Sequence, residues 1–432
     1  MALKHSRIPL GRADMLAATA IREAHQAGLP AEDIVPVGGL RRYAPALDGA
    51  VLLALTDDDR RDEVLAGFSR LAFVRSILDS SSSSLRVATD RGLLEVHLAR
   101  PDMAGAALVW HTGTRRHTKW LQARAATLGL RFANAHLERP ASRALAVPDE
   151  QTFYRLLDLP YIAPELREGE DEIDAAERGL LPSLVTTLHI RGDLHMHSTW
   201  SDGRDSIMHM VLSARQLGYE YVAITDHSER SWASRKLLSL EVPLQRQEIE
   251  TVRAHEPGIE VLHGVEVDIM PDGTLDFDDD TLAGFDIVLA SLHDASGQDG
   301  AQLTERYVQA MRHPLVNIVT HPANRSPAIS NGYDLDFGRL FDVAVETGTA
   351  MEVDGAPGHL DMDGKVAKRA AAAGVTIVIN SDCHRADALG RQMSFGIGTA
   401  RRGWIKPEQV LNTRGIDGVR EFIARKRGRS AR

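Results

Sequence analysis

The sequence predicts an α/β fold whose C-terminal part forms a parallel sheet able to close into a barrel. The first observation is a series of short runs rich in Val and Ile, bounded by Gly, Pro and polar turns, which is typical of buried strands. The second is the helical stretch between most of these runs, since alternating strand and helix implies a parallel sheet. The runs begin at Tyr221, Ile259, Phe285, Val316, Ala350 and Val375.

Side chains that bind metals well stand at or near the ends of these runs. The active site of a parallel barrel lies where its strands end, so we expect these side chains to converge on one mouth. Mixed imidazole and carboxylate ligands suit Zn, Mn or Fe, and their number exceeds what one ion needs, so we expect about two to three divalent ions. Multi-ion sites are typical of phosphoester cleavage. The nine predicted ligands are His195, His197, Asp202, His227, Glu266, His293, His321, Asp382 and His384.

The spacing within this set predicts a shared face. His195 and His197 stand two apart, as do Asp382 and His384. Residues two apart on a strand point to the same side, so each pair can grip one cation. The carboxylate of Glu266 can bridge two ions. These five residues form the predicted catalytic set.

Two nearby residues are not predicted to be ligands. His359 lies outside these contexts, and we expect an ordinary surface or loop residue there. Cys383 lies between two predicted ligands, and we expect it to be a small buried spacer that points away from the metals.

Composition sets the class of protein. The chain has 432 residues, 43% of them apolar and 25% charged, as in an ordinary protein of two or more domains. Its net charge of −10 does not suggest a nucleic-acid coat. No apolar run reaches the length of a membrane span, and the N-terminus lacks the apolar core of a signal peptide. The single cysteine, Cys383, excludes an internal disulfide, and we expect a cytoplasmic protein. The oligomeric state stays open.

Three segments follow from the pattern along the chain. Residues 1–135 mix helical and strand-like stretches and predict a small α+β domain. Residues 136–190 hold short helical pieces and polar turns and predict a connecting region. Residues 191–432 contain the predicted barrel.

Within the first segment, residues 13–27 and 114–128 carry helical patterns. Residues 49–55 and 93–98 are apolar and strand-like. The five serines at 80–84 predict a flexible surface loop.

The order and context of the metal-type residues resemble those of the PHP domain, the polymerase and histidinol phosphatase family. The resemblance rests on His195-Met-His197, Thr225-Asp-His227 and Asp382-Cys-His384, with the other ligands between them, and covers about residues 191–425. It implies a distorted seven-stranded (β/α) barrel with three ions. The implied ligand sets are His195, His197, Glu266 and Asp382 for one ion, Glu266, His293 and His321 for the second, and Asp202, His227 and His384 for the third.

Four further stretches resemble bacterial family X DNA polymerases, whose C-terminal PHP domain is a manganese-dependent 3′→5′ exonuclease. Residues 159–169 and 190–203 resemble the junction before that domain. Residues 38–42 resemble part of the polymerase palm, and residues 104–114 resemble the stretch where palm meets thumb. The resemblance therefore implies a palm- and thumb-like domain before the barrel.

The palm-like segment departs from that family at its catalytic positions. Gly49 and Val51 stand where the resemblance places two metal-binding aspartates, and His97 stands in place of the third carboxylate. Asp48 is one residue out of register, which on a strand points a side chain to the other face. Polymerases need carboxylates to hold two magnesium ions, so we expect nucleotide transfer to be lost.

Basic residues near the predicted mouth are candidates for binding substrate phosphate. Arg230, Arg235, Arg325 and Arg385 each follow a predicted ligand by no more than about eight residues, on the loop side of the strand. Arginine suits bidentate contact with phosphate. Lys236 is a weaker candidate.

Three functions remain open at this stage. The first is metal-dependent processing of DNA 3′ ends, as a 3′→5′ exonuclease or a 3′-phosphatase. The second is a small-molecule phosphatase acting on nucleotides or on an ester similar to histidinol phosphate. The third is a non-catalytic module that binds DNA ends or another partner, which the full set of ligands disfavours.

Overall fold

The structure, a computed structural model, describes residues 7–139 and 144–429. The chain divides into two compact units, Met1–Pro182 and Ser183–Arg432. Among the described residues, no helix combines the length and the apolar character that crossing a membrane requires.

The first unit is built on a five-stranded mixed sheet in the order β2-β4-β7-β6-β5, with β4 and β7 running parallel at its centre. Its strands are β1 (Ile8–Pro9), β2 (Asp33–Val37), β3 (Ala46–Leu47), β4 (Gly49–Leu55), β5 (Val74–Ser80), β6 (Ser84–Thr89), β7 (Gly92–Ala99), β8 (Arg131–Ala133) and β9 (His136–Glu138). Its helices are α1 (Leu10–Gln26), α2 (Gly38–Arg41), α3 (Arg61–Ser69), α4 (Ala104–Thr112), α5 (Arg115–Thr127), α6 (Glu150–Leu156) and α7 (Asp171–Glu177).

Local sequence patterns account for most of these elements. The two predicted helical stretches appear as α1 and α5, and the two predicted strands appear as β4 and β7. The serine run is more ordered than expected, because β5 ends at Ser80 and β6 begins at Ser84. The hydroxyl of Ser81 accepts hydrogen bonds from the backbone N–H groups of Ser83 and Ser84, and these bonds hold a tight hairpin turn.

The second unit confirms the predicted α/β barrel. Seven parallel strands pair in chain order from β10 to β16. The strands are β10 (Gly192–Asp193), β11 (Tyr221–Ile224), β12 (Glu260–Asp268), β13 (Ile287–Ser291), β14 (Ile318–Val319), β15 (Ala350–Asp354) and β16 (Ile377–Asn380). The helices are α8 (Ile207–Gln216), α9 (Val242–His255), α10 (Asp279–Ala283), α11 (Gly300–Arg312), α12 (Phe337–Thr347), α13 (Gly364–Ala372), α14 (Leu389–Arg402) and α15 (Ile416–Arg429).

Side-chain amides help to join the first and last strands of this barrel. Oδ1 of Asn380 accepts a hydrogen bond from the backbone N–H of Leu194 at 3.0 Å. Nδ2 of Asn412 donates to the carbonyl oxygens of Gly192, at 2.8 Å, and of Ile379, at 2.5 Å. In a regular barrel, backbone pairing between β10 and β16 would satisfy these groups. Here side chains do so, which shows that the barrel is distorted between its first and last strands.

The apolar core leaves one end of the barrel polar. At the other end, α15 covers the beginnings of the strands. Its residues Val419 and Phe422 pack with Tyr221, Leu262 and Ile287, which lie near the beginnings of β11, β12 and β13. A second apolar layer lies between the strands and the surrounding helices. The buried charged side chains therefore gather toward the carboxyl ends of the strands, where parallel barrels hold their active sites.

Candidate metal centre

All nine predicted ligands meet in one cluster at the carboxyl ends of the barrel strands. Their nitrogen and oxygen atoms form four overlapping groups, and within each group one atom from every member lies within 4.8 Å of the others. The groups are His197, Asp202, His227 and His384; His195, His197 and Asp382; His195, Glu266 and His321; and His227, Glu266 and His293. The sequence therefore predicted a set of residues that folding brings together.

His195 and His197 lie just beyond their strand, since β10 ends at Asp193. The segment stays extended because Met196 bridges to Cys383, and the backbone N–H of His197 donates to the carbonyl of Cys383 at 2.9 Å. The two imidazoles consequently share one side, as their spacing predicted. Their Nε2 atoms are 3.1 Å apart.

Asp202 reaches the cluster through a tight turn. A Cβ on the next residue, Gly203, would lie 2.6 Å from the backbone carbonyl of His197, so only glycine lets the turn pack this closely. Oδ1 of Asp202 lies 3.2 Å from Nε2 of His384 and 3.5 Å from Nε2 of His227.

The geometry of the inward-facing atoms fits a divalent cation better than hydrogen bonding. Oε2 of Glu266 lies 2.7 Å from Nδ1 of His227, yet within the described residues neither atom has a hydrogen-bond partner. Oδ1 of Asp202 also lacks one. Buried polar atoms are nearly always satisfied in folded proteins, and metal ions bound in these groups would satisfy all three. Zinc, manganese and iron accept this mixture of nitrogen and oxygen donors.

The buried charges of the cluster reinforce one another. Burial opposes ionisation of Glu266, but the neighbouring His227 and His195 outweigh it and hold the carboxyl pKa well below its usual range. Burial likewise opposes protonation of His195, but the carboxylates of Glu352 and Glu266 outweigh it and raise the imidazole pKa. The carboxylates thus stay ionised and make the site attractive to cations.

Two carboxylates behind the cluster were missed by sequence reasoning. Oε1 of Glu352, on β15, lies 2.8 Å from Nδ1 of His195. Oδ1 of Asp268, on β12, lies 2.5 Å from Nδ1 of His293. A carboxylate on one ring nitrogen fixes the tautomer and leaves the other nitrogen for the site. The available signal was a charged residue inside an apolar strand, as at Glu352.

The backbone is strained at two of the nine positions. His321 has φ of 23° and Asp382 has φ of 49°, in the left-handed region that residues other than glycine rarely adopt. Such a conformation costs about 1–3 kcal/mol and persists only where the surrounding structure imposes it. This strain aims both side chains into the cluster.

Comparison with known proteins agrees with this geometry. Residues 193–323 match the PHP domain and residues 107–168 match the DNA polymerase beta thumb. The chain is 33% identical over 392 residues to the DNA polymerase/3′-5′ exonuclease PolX of Bacillus subtilis, across 90% of this chain and 68% of that protein. The chain belongs to the PolX family.

Shorter relatives of this PolX-family chain carry a different description. A probable phosphatase of Syntrophotalea carbinolica is 27% identical over 252 residues, which cover 56% of this chain and 98% of that protein. A probable phosphatase of Shewanella oneidensis is 30% identical over 208 residues, which cover 46% of this chain and 78% of that protein.

His359 lies beside the metal-type cluster of this PolX-family chain, although the sequence predicted an ordinary surface or loop residue. Its ring stacks on that of His321, with centroids 5.1 Å apart. Burial, reinforced by His321, lowers the pKa of His359 to about 4. His359 does lie in a loop, as predicted, but its contact with His321 was missed because that contact depends on how the loop after β15 folds back.

Cys383 is buried, as predicted for a small spacer between two ligands. Its Sγ donates to the carbonyl of Arg385 at 2.9 Å. Burial raises the pKa of this thiol to about 12, which keeps it protonated and unreactive at neutral pH.

The four arginines predicted to bind phosphate differ in whether an acidic side chain lies beside them. Within the described residues, Arg235 has no acidic partner and its side chain is exposed. Each of the other three lies within 3.5 Å of a carboxylate. The partners are Asp276 for Arg230, Asp363 for Arg325 and Asp387 for Arg385.

In the palm-like sheet of this PolX-family chain, Glu95 lies on the same face as Val51. Val51 of β4 pairs with Glu95 of β7, and His97 follows two residues later on the same face. Nε2 of His97 lies 2.8 Å from Oε1 of Glu95, and the His97 ring stacks on His111 with centroids 3.9 Å apart. Glu95 and Gly49 line a cavity of about 320 Å³. Asp48 lines this cavity too, from the bend just before β4, while Gly49 and Val51 place no carboxylate in it.

Proposed function

We propose that this chain is a metal-dependent phosphoester hydrolase that processes DNA 3′ ends, as a 3′→5′ exonuclease or a 3′-phosphatase, without polymerase activity. The observation that carries the proposal is the convergence of nine metal-type side chains with buried donor atoms that lack hydrogen-bond partners among the described residues. Such a donor set has no structural purpose in an apolar barrel, which folds through its strands and helices.

We infer about two to three ions, Mn, Zn or Fe, with Glu266 bridging, because Glu266 belongs to two of the four groups. Bound divalent ions would neutralise phosphate charge, lower the pKa of a water and stabilise the leaving oxygen. The protein's part is to hold the imidazoles and carboxylates in place. Glu352 and Asp268 do this from behind the cluster.

A DNA end as substrate is supported by the family. The Bacillus subtilis relative is described as a polymerase and a 3′-5′ exonuclease, and this chain matches both the PHP domain and the DNA polymerase beta thumb. The palm-like face supports the loss of nucleotide transfer, because Gly49 and Val51 supply no carboxylate there.

A small-molecule phosphatase is the second candidate. It is favoured by the probable phosphatases, one of which aligns with this chain over 98% of its own length. The net charge of −10 also gives the chain no general attraction for DNA.

The experiment compares three substrates with the manganese-loaded full chain: single-stranded DNA ending in a 3′-hydroxyl, the same DNA ending in a 3′-phosphate, and nucleoside monophosphates. Release of nucleotides from the first, or of inorganic phosphate from the second, is expected at least tenfold faster than hydrolysis of the third. The Asp382→Asn variant serves as the inactive control, because it removes a predicted ligand charge.

Equal or faster hydrolysis of nucleoside monophosphates would favour the small-molecule phosphatase. DNA binding without hydrolysis of any of the three substrates would favour the non-catalytic module. In either case the proposed 3′-end processing would be rejected.

A further inference from the structure

Trp232 is the exposed tryptophan of the described chain. Its side chain is 76% exposed, whereas the other four tryptophans are each mostly buried. Tryptophan carries a large apolar ring whose burial is normally favourable. An exposed one beside a reaction centre is therefore a candidate contact for a ligand.

The loop that carries Trp232 follows His227, a predicted metal ligand, and returns to contact the same residue. The backbone N–H of Leu237 donates to the carbonyl of His227 at 2.8 Å, which closes the loop, and the N–H of Ser228 donates to the carbonyl of Glu266 at 3.0 Å. Ser231, immediately before Trp232, is buried and its N–H donates to the carbonyl of Ser228 at 3.2 Å.

These bonds limit how far Trp232 lies from the cluster. The Ser228–Ser231 turn keeps its ends within about 7 Å, and each further residue adds about 3.8 Å. The Cα of Trp232 therefore lies within about 15 Å of the Cα of His227. A nucleotide chain with its scissile phosphate at the cluster can reach this distance with one of its terminal bases.

The same loop is basic. Arg235 and Lys236 have no acidic partner among the described residues, and the side chain of Arg230 is 67% exposed. Lysine is depleted from the core of protein–protein interfaces, so Lys236 suits a polyanion better than a protein partner. An aromatic ring beside unpaired cations is instead the combination that holds single-stranded nucleic acid.

We propose that Trp232 stacks on an unpaired base of the substrate and thereby selects single-stranded DNA ends over phosphoesters that lack a base. The inference rests on the proposed hydrolysis at the metal centre. It adds that the chain recognises an unpaired base of the substrate. Trp232 is a positioning and specificity residue here, because it contacts the base and not the reacting phosphate.

The test measures KM and kcat for two oligonucleotides that differ only in the last two positions, which carry bases in one and abasic sites in the other. Trp232→Ala is expected to raise KM for the first about tenfold, in line with the loss of one stacked base, with little change in kcat. It should leave the abasic oligonucleotide unaffected. Trp232→Phe keeps a ring and should retain most of the wild-type preference.

Leu240→Ala is the matched control, because Leu240 is 73% exposed in the same part of the chain and is expected to change nothing. A second measurement needs no turnover: the base-containing oligonucleotide should quench the fluorescence of the wild-type chain more strongly than that of Trp232→Phe.

The outcomes separate the two proposals. If Trp232→Ala impairs hydrolysis of both oligonucleotides equally, or of neither, the stacking role is overturned and the hydrolase is retained. Quenching that requires Trp232, without hydrolysis, rejects the hydrolase and supports the stacking role. Neither quenching nor hydrolysis overturns both.

Discussion

Oε1 of Glu352 lies 2.8 Å from Nδ1 of His195, and both side chains are fully buried. The other oxygen of Glu352 accepts a hydrogen bond from the backbone N–H of His321 at 3.0 Å, and Nδ2 of Asn380 donates to Oε1 at 2.8 Å. One carboxylate therefore fixes a predicted ligand and the backbone of a second. It belongs to none of the four ligand groups.

Replacing Glu352 by Gln should weaken metal binding without removing a ligand. The amide can accept only at its oxygen, so it cannot hold His195 and His321 as the carboxylate does. Loss of such a partner typically lowers metal affinity or activity by about 10- to 100-fold. Competition titration with a chelator measures the affinity, and excess manganese should restore most of the activity of this variant.

Asp382→Asn provides the comparison, since excess manganese should not restore a variant that lacks a ligand charge. Wild-type metal affinity in Glu352→Gln would show that the hydrogen bond to His195 does not position the ring.

Template-directed synthesis should be absent. Gly49 and Val51 supply no carboxylate and Glu95 is paired with His97, so we expect this face not to hold the two magnesium ions that nucleotide transfer requires. Primer extension should be assayed in the His195→Ala background, so that exonuclease activity does not remove the product. Extended primers with magnesium or manganese would contradict the prediction.

The stability of the first unit should fall as the solution becomes acidic. Burial, reinforced by the neighbouring His97, lowers the pKa of His111 to about 3, against an ordinary value of 6.5. Between these pH values the unfolded chain binds a proton that the folded chain excludes. The free energy of unfolding therefore does not depend on His111 titration above about pH 6.5. Below that pH the free energy of unfolding falls, by at most about 1.4 kcal/mol per pH unit.

The measurement is the free energy of unfolding in urea from pH 7.5 to pH 5. His111→Phe keeps a ring to stack on His97 but cannot titrate, so its free energy should fall less steeply with pH. Parallel slopes for the wild type and this variant would contradict the lowered pKa of His111.

Among the predicted phosphate-binding arginines, Arg235 should matter most. It has no acidic partner in the described chain, whereas an acid beside each of the other three already neutralises part of its charge. Arg235→Ala should raise KM for DNA several-fold with a smaller effect on kcat, and should reduce the dependence of binding on salt. Arg215→Ala, which removes an exposed arginine paired with Glu256 on another surface segment, is the control. Unchanged KM and salt dependence in Arg235→Ala would reject this role.

The sequence predicted what local patterns determine. Runs of Val and Ile predicted the strands, and metal-type side chains at their ends predicted the cluster, because strand ends in a parallel barrel share one mouth. Glu352 was missed because its role depends on a contact with His195, which lies 157 residues away along the chain. The contact of His359 with His321 and the acidic partners of Arg230 and Arg325 were missed for the same reason. Loop conformation decides those contacts, and no periodic pattern encodes it.

The central claim is that nine side chains from the barrel strands and the loops that follow them form one multi-ion centre. Elemental analysis of the metal-replete full chain tests it most directly. The account predicts about two to three transition-metal ions per chain, with fewer in a folded Asp382→Ala variant whose circular dichroism matches the wild type. Less than one ion per wild-type chain would contradict it.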